Sequence, residues 1–168
     1  MDGLSDFCDG FFSARGDREE VIRIMKDSRI GVMGALGIFF VLLLKYELLV
    51  LLASRSFLFF FTLAASRTVQ VILAYFLPYV GGASGMGKGF VGEIARGDLV
   101  FAIVTTVILC LPLGLYVTII ELALLALFVY LFSGLVKKKV GGVTGDILGA
   151  ASELSEIWIL LVATWVMS

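Results

Sequence analysis

Three aspartates near the start of the chain are spaced so that they share one face of a helix. Asp2, Asp6 and Asp9 are four and then three residues apart. Because an α-helix turns about 100° per residue, the three carboxylates fall within roughly 60° of one another around the helix axis. Carboxylates that act together with phosphate groups are typical ligands of Mg²⁺, so the pattern predicts a magnesium-binding face. The alternative is a solvated acidic first turn, which the helix dipole would favour.

The composition of the chain is that of an integral membrane protein. Of its 168 residues 60% are hydrophobic and only 16% are charged, and the mean hydropathy is +1.07. A soluble domain would have roughly 45–50% apolar and about 25% charged residues. The apolar runs are rich in Phe and Leu and do not alternate in polarity, which indicates membrane helices rather than the strands of a membrane barrel.

Several classes of site and partner are excluded or not indicated. The chain contains no histidine, which excludes a histidine base and a His-ligated zinc site. Its two cysteines give no disulfide framework and no paired-cysteine metal site. The net charge of −1 does not indicate nucleic-acid binding, and we expect no nucleic-acid partner. The expected partners are small molecules and the lipid bilayer, and a homo-oligomer remains open.

A polar segment over 11–29 follows the aspartates and is rich in both charges. Apolar Val21, Ile22 and Met25 give it one hydrophobic side. We therefore expect an amphipathic helix lying at the membrane interface. The segment supplies five cations: Arg15, Arg18, Arg23, Lys26 and Arg29.

Five apolar runs come next, and each is near the roughly 20 residues needed to cross a bilayer. In the first run, Gly31, Gly34 and Gly37 would let another helix approach closely. We predict an all-α polytopic transmembrane bundle of one domain, with 1–30 as a cytoplasmic acidic and basic segment and 31–168 as the bundle. The runs cover about 31–53, 56–77, 99–115, 116–136 and 147–167.

The distribution of positive charge orients these spans. If 1–30 is cytoplasmic, the loops at 78–98 and 137–146 lie on the same side of the membrane. Ten of the thirteen Lys and Arg residues are then inside, as the positive-inside rule requires. The opposite orientation would export the Lys137–Lys139 run.

A second acidic group lies at the start of the last run, on the side predicted for the aspartates. Asp146 and Glu153 are seven residues apart and can line one stripe of a helix, with Glu156 about 60° away. Backbone amides at a glycine-rich helix start can hold a phosphate or another anion. The alternatives are an ordinary turn for the glycines and interfacial solvation for the two glutamates. The glycine-rich stretch contains Gly141, Gly142, Thr144 and Gly145.

Charged side chains inside an apolar run cost free energy unless they are paired. Lys45 lies in the first run. Lys45, and Arg67 in the second run, are therefore candidate functional residues. The alternative for Lys45 is that it snorkels to the interface or pairs with Glu47 or Glu121.

Three ordered stretches, spread over nearly the whole chain, resemble one known family. They are Asp2-Gly-Leu-x-Asp-x-x-Asp-Gly10, then Ile24-Met-Lys-Asp-Ser-Arg-Ile-Gly31 with Gly34, and Gly141-Gly-Val-Thr-Gly-Asp-x-x-Gly-Ala150 with Glu153. Together they are similar to the adenosylcobinamide-GDP ribazoletransferase (cobalamin synthase) family. The resemblance implies a Mg²⁺-dependent enzyme of the inner, cytoplasmic membrane with its active site on the cytoplasmic face. It would join α-ribazole, or its 5′-phosphate, to adenosylcobinamide-GDP and release GMP.

The resemblance also implies roles for individual residues. Carboxylate-bound Mg²⁺ would clamp the pyrophosphate oxygens, and the ligands would be Asp2, Asp6, Asp9, Asp146 and Glu153. One of the four aspartates could instead accept the proton of the attacking hydroxyl. Substrate and phosphate binding would fall to Arg15, Arg18, Lys26, Asp27, Ser28, Arg29, Gly85, Gly87, Lys88, Gly141, Gly142, Thr144 and Gly145.

Two departures from the family pattern accompany the resemblance. Family members usually carry a further membrane stretch before the aspartate motif, so we expect that an N-terminal part is missing here. The loop after Tyr79 lacks the family's Arg-Pro-Glu-like stretch, which leaves only Gly85, Gly87 and Lys88 as candidates there.

Two other functions remain as alternatives. One is a CDP-alcohol phosphotransferase, whose motif requires an Ala-Arg pair that is absent after Asp2-Gly3. The other is a cation-coupled membrane carrier, which would need an acidic path across the whole membrane.

Overall fold

The computed structural model describes residues 1–13, 17–27, 29–81 and 87–167, and this part of the chain is helical. The prediction of an all-α fold is confirmed. A 3₁₀ turn, Leu111–Leu113, joins the sixth and seventh helices. The described α-helices are α1 Asp2–Ser13, α2 Arg18–Met25, α3 Val32–Leu51, α4 Ser56–Phe76, α5 Gly87–Glu93, α6 Arg96–Cys110, α7 Leu115–Lys139 and α8 Gly145–Met167.

Five of these helices are long and apolar enough to cross a membrane. They are α3, α4, α6 with its 3₁₀ extension, α7 and α8, and they match the five predicted runs to within a few residues. The match follows from hydropathy, because a spanning segment must pair its backbone groups internally and present apolar side chains to lipid.

Helices α4 and α8 form the centre of the bundle. In the most apolar stretch of each helix, about half of the residues of α4 and 61% of those of α8 are buried inside the protein. The corresponding shares are 17% for α3 and 11% for α6. Fully buried side chains of the central pair include Phe61, Val69, Ile147 and Ile159. The outer faces of α3, α6 and α7 carry exposed Phe, Leu and Ile side chains, as expected where helices contact lipid.

The N-terminal segment consists of two helices that pack differently. Helix α1 lies against both α3 and α8, and it buries Leu4, Phe7 and Phe11 in the common core. Helix α2 is the basic amphipathic helix, which buries Val21 and Met25 and exposes most of its charged side chains. Asp17 caps α2 by accepting a hydrogen bond from the amide of Glu19 at 3.2 Å.

The three glycines expected to admit another helix do so, and that helix is α1. A Cβ atom added to Gly34 would overlap the Ser5 hydroxyl, and one added to Gly37 would lie 2.5 Å from the sulfur of Cys8. On the opposite side of α1, a Cβ atom on Gly3 would lie 2.8 Å from the backbone of Asp146. The backbone of α1 is therefore wedged between α3 and α8 at distances that only glycine permits.

We expect Gly34→Ala to destabilise the protein by about 1–3 kcal/mol, because the new methyl group must push α1 away from α3. The matched control is Gly134→Ala in α7, where a Cβ atom would meet nothing within 4 Å. This control should leave stability unchanged or raise it slightly, since alanine favours helix. Thermal unfolding in detergent measures the stability of both variants. An equal loss of stability in the two would contradict the close packing of α1 between α3 and α8.

Candidate functional site

The N-terminal helix α1, the loop after α4 and the loop before α8 meet at one end of the bundle. Val80 donates a backbone hydrogen bond to the carbonyl of Val143, and Val143 donates one to the carbonyl of Pro78, both at 2.9 Å. These bonds join the loop after α4 to the loop before α8. Lys139 donates a hydrogen bond to the carbonyl of Phe11, which joins the end of α7 to α1. These contacts bring the two loops and α1 to the same end of the bundle, and the side of the membrane that this end faces stays a prediction.

The acid face, which we define as Asp2, Asp6 and Asp9 of α1, approaches Asp146 at the start of α8. Asp2 is exposed, Asp6 is half-buried and Asp9 is 6% exposed. Burial and, after it, the negative charges of Asp146, Asp2 and Asp9 raise the pKa of Asp6 from its ordinary 3.8 to about 6. The fold thus concentrates negative charge around Asp6, drawn from both acidic motifs.

Asp9 holds the beginning of α3. Its two carboxylate oxygens accept hydrogen bonds from the amides of Gly31 at 2.7 Å and Gly34 at 2.8 Å. Gly31 is the N-cap residue of α3 and has no side chain to cap the helix itself. A carboxylate at this position satisfies free amides and complements the helix dipole. If Asp9 binds a metal ion as predicted, the same oxygens must also accept the hydrogen bonds that cap α3.

Glu153 and Glu156 are held by a lysine from another helix. The Lys45 amino group forms ion pairs with both carboxylates. It donates a hydrogen bond to Glu153 Oε2 and another to Glu156 Oε2 at 2.6 Å. Ser66 of α4 donates a further hydrogen bond to Glu156 at 3.2 Å. The alternative in which Lys45 pairs with Glu47 or Glu121 is wrong, and so is the alternative of interfacial solvation for Glu153 and Glu156. The reason is that α3 packs beside α8, so Lys45 reaches two carboxylates spaced three residues apart.

The metal role predicted for Glu153 must therefore compete with this ion pair. The second oxygen of Glu153 lies 3.6 Å from the amino group of Met1. Within the described ranges, no three His, Cys, Asp or Glu side chains are arranged so that they could hold a metal ion by themselves. Asp2 and Asp6 form no hydrogen bond or ion pair in the described structure, so their oxygens stay available to a ligand.

The guanidinium group of Arg18 lies over the glycine-rich loop before α8. A Cβ atom on Gly141 would overlap it, and Gly141 has a φ of +80°, which favours glycine. Among the described residues no carboxylate pairs with Arg18, so its charge is free for an anion. Lys26 is likewise exposed and has no ion-pair partner there.

Other residues of the same loop have structural contacts. The Thr144 hydroxyl accepts a hydrogen bond from the amide of Ile147 at 3.2 Å and so caps α8, which begins at Gly145. Gly142 lies against the Pro78 carbonyl and the Val80 side chain, where a Cβ atom would not fit. These contacts do not test whether the same residues bind an anion, so their anion-binding roles stay predictions.

A second group of cations surrounds a cleft of about 480 Å³ between α1, α2 and the start of α3. Arg29 donates hydrogen bonds to the Asp27 carboxylate at 2.8 and 3.1 Å, and these bonds lower the pKa of Asp27 to about 2. Arg23 lines the same cleft and has no ion pair in the described part of the chain. Arg23 is not among the predicted site residues, because its position in the sequence does not distinguish it from the neighbouring cations.

Some predicted site residues lie outside the described structure. These are Arg15, Ser28, Gly85 and the side chain of Lys88. Gly87 begins the short helix α5.

Comparison with known proteins places the chain in a family. The profile of the family described as cobalamin-5-phosphate synthase matches residues 1–164. Proteins named adenosylcobinamide-GDP ribazoletransferase are similar to it. The one from Clostridium botulinum strain Okra is 40% identical over 96% of this chain and 66% of its own length. The one from Chlorobium phaeovibrioides is 38% identical over 96% and 67%.

A third such relative, from Clostridium novyi, is 35% identical over 96% of this chain and 65% of its own length. The chain thus spans about two thirds of the length of the curated relatives it matches. No solved structure matches it. The match over almost the whole sequence shows that the chain belongs to the cobalamin-5-phosphate synthase family.

Proposed function

We propose that the chain performs the reaction for which its relatives are named, the transfer of α-ribazole or its 5′-phosphate onto adenosylcobinamide-GDP. The observation that carries the proposal is the close packing of α1 on the start of α8 at one end of the bundle, where Gly3 lies against the backbone of Asp146 and Asp6 is influenced by the negative charge of Asp146. Family membership favours this function over a CDP-alcohol phosphotransferase and over a carrier. The positive-inside rule supports a site on the cytoplasmic face of the inner membrane.

In this reaction a ribose hydroxyl attacks the phosphorus atom that is bonded to cobinamide. A new P–O bond forms, the P–O bond to the GMP group breaks, and GMP leaves with the electron pair. The hydroxyl proton passes to a carboxylate of the acid face. Phosphoryl transfer of this kind depends mainly on positioning and on neutralising charge, and the site offers residues for both.

We propose that Asp2, Asp6 and Asp146 hold Mg²⁺ together with substrate phosphate oxygens, because no three acidic side chains in the described ranges are arranged to hold the ion by themselves. Their donors are all carboxylate oxygens, which are the ligands that this hard cation prefers, and Mg²⁺ is commonly bound by one or two carboxylates plus substrate phosphates. Crowding of like charges around Asp6 is the feature that a cation would relieve. When bound, the ion would neutralise charge on the pyrophosphate oxygens.

The free cations are placed to bind the remaining phosphate charge. Arg18 lies over the loop before α8, and Arg23 lines the cleft beside the start of α3. Guanidinium groups bind phosphate through two parallel hydrogen bonds. Arg29 would first have to exchange its bonds to Asp27 for bonds to the substrate.

The assay supplies adenosylcobinamide-GDP, α-ribazole and Mg²⁺ and measures GMP. Because the relatives are longer, the Clostridium botulinum relative is assayed in parallel under the same conditions. We expect GMP release from both proteins only when both substrates are present. A folded sample of this chain that releases no GMP, beside an active relative, would contradict the proposal.

Mg²⁺ binding can also be measured without turnover, as a pH-dependent change in stability in the presence of inorganic pyrophosphate, which supplies the phosphate oxygens that the carboxylates lack. Without divalent cations, folded Asp6 holds a proton between about pH 4 and 6 that unfolded Asp6 has lost. Stability should therefore fall as pH rises through this window. Above pH 6 Mg²⁺ should restore stability, by about 2.7 kcal/mol at a hundred times its Kd, and well below pH 6 it should restore much less.

Thermal unfolding with and without Mg²⁺ checks this prediction. Asp6→Asn should lose most of the Mg²⁺ effect, whereas Glu47→Gln, at an exposed carboxylate of α3, should keep it. A Mg²⁺ effect of the same size at both pH values, or in Asp6→Asn, would count against Asp6 as a ligand.

A further inference from the structure

The side chain of Glu121 is buried inside the membrane-spanning part of the protein, away from the residues discussed above. It lies on α7 and is 1% exposed. In the described structure neither of its carboxylate oxygens has a hydrogen-bond partner. A buried polar group without a partner is rare in folded proteins and calls for a physical account.

The neighbouring elements provide no cation for Glu121. Helix α1, which carries Asp2, Asp6, Cys8 and Asp9, contacts α7 at Phe132 and Lys139, far along the helix from Glu121. Helices α4, α6 and α8 and the 3₁₀ turn also pack against α7. In the described part of these elements the ionisable residues are Arg67, Tyr75, Arg96, Asp98, Cys110, Asp146, Glu153 and Glu156. Arg67 contacts Gln70 at 3.4 Å, and Lys45 holds both glutamates of α8. Of this set the buried thiol of Cys110 interacts electrostatically with Glu121, and a thiol supplies no positive charge.

An ionised carboxylate in this position would be very unfavourable. Removing a charge from water without a partner costs several kcal/mol, and buried acids respond by taking up a proton. The neutral acid avoids most of this cost and gains an O–H donor. We propose that Glu121 is a membrane-embedded proton-binding site, occupied at neutral pH, and therefore a modification site for apolar carbodiimides.

The reaction with a carbodiimide distinguishes the acid from its carboxylate. The acid proton moves to one carbodiimide nitrogen, while the carboxyl oxygen bonds to the central carbon and forms an O-acylisourea. In a site without water the acyl group then migrates to nitrogen and gives a stable N-acylurea. The product carries the mass of one intact carbodiimide, and no oxidant or further reactant is needed.

The first measurement is infrared spectroscopy of the purified protein at neutral pH, in which a protonated carboxyl gives a C=O stretch separate from that of a carboxylate. We expect a protonated-carboxyl band in the wild type that shifts in D₂O and is lost in Glu121→Gln. Glu47→Gln, which changes an exposed glutamate, should keep the band. Identical carboxyl regions in the wild type and Glu121→Gln would overturn the proposal.

The second measurement needs no variant and therefore does not depend on the folding of Glu121→Gln. The wild type is incubated with dicyclohexylcarbodiimide or with a water-soluble carbodiimide, and the adduct is mapped by peptide mass spectrometry. We expect the apolar reagent to modify Glu121 and the water-soluble reagent to leave it unmodified. Absence of the adduct from Glu121 after apolar labelling, or its formation only with the water-soluble reagent, would overturn the proposal.

Discussion

Asp6→Asn should lower GMP release by at least about a hundredfold while the helices remain folded, because transition-state charge stabilisation at a carboxylate–metal site is worth several kcal/mol. Asparagine keeps the size of Asp6 and removes the charge that lies among Asp2, Asp9 and Asp146. Asp6 has no hydrogen-bond partner in the described structure, so the substitution breaks no contact. Stability should rise slightly above pH 6, because the repulsion around this position is relieved.

Turnover is compared with Glu19→Gln, which removes an exposed carboxylate from the neighbouring helix α2. This control should retain full activity. Near-normal GMP release by folded Asp6→Asn would show that the charge at this position is not needed for the reaction.

Lys45→Met should have the largest effect on stability, a loss of about 3 kcal/mol. The variant leaves the carboxylates of Glu153 and Glu156 without their cation in a mostly buried position, and breaking a buried ion pair from one side is strongly destabilising. Turnover should also fall, since α8 carries Asp146 into the site. Lys45→Arg, which keeps the charge, should recover most of both losses.

The control for this prediction removes the two carboxylates as well. Lys45→Met combined with Glu153→Gln and Glu156→Gln contains no unpaired charge and should regain stability relative to Lys45→Met alone. Lys137→Met, at an exposed lysine of α7, should change stability little. Equal unfolding temperatures for Lys45→Met and Lys137→Met would mean that the buried ion pair does not hold α3 to α8.

Much of the fold could be predicted from sequence because it depends on local properties of the chain. The five spans follow from runs of apolar residues with a length set by the bilayer. The close approach at Gly31, Gly34 and Gly37 follows from glycine spacing, although the sequence did not indicate that α1 would be the helix that fills it. The aspartates at four- and three-residue spacing do share one side of a helix.

The pairing of helices could not be predicted in the same way. Lys45 has four acidic candidates within the apolar runs, and only the packing of α3 beside α8 decides between them. Asp9 is a similar case, because its place in an acidic motif suggested a metal ligand. The structure shows that its carboxylate also caps α3, more than twenty residues along the chain. Such contacts depend on which helices are neighbours, and the local pattern does not contain that information.

The central claim is that the acid face of α1 and Asp146 of α8 act as one site, and a double-mutant cycle of Asp6→Asn and Asp146→Asn tests it most directly. GMP release and its Mg²⁺ dependence are measured for both single variants and for the double variant. Residues that act as a unit are not additive, so we predict that each single variant loses nearly all activity and that the double variant is little worse. Near-normal GMP release by Asp146→Asn, with unchanged Mg²⁺ dependence, would contradict a shared site.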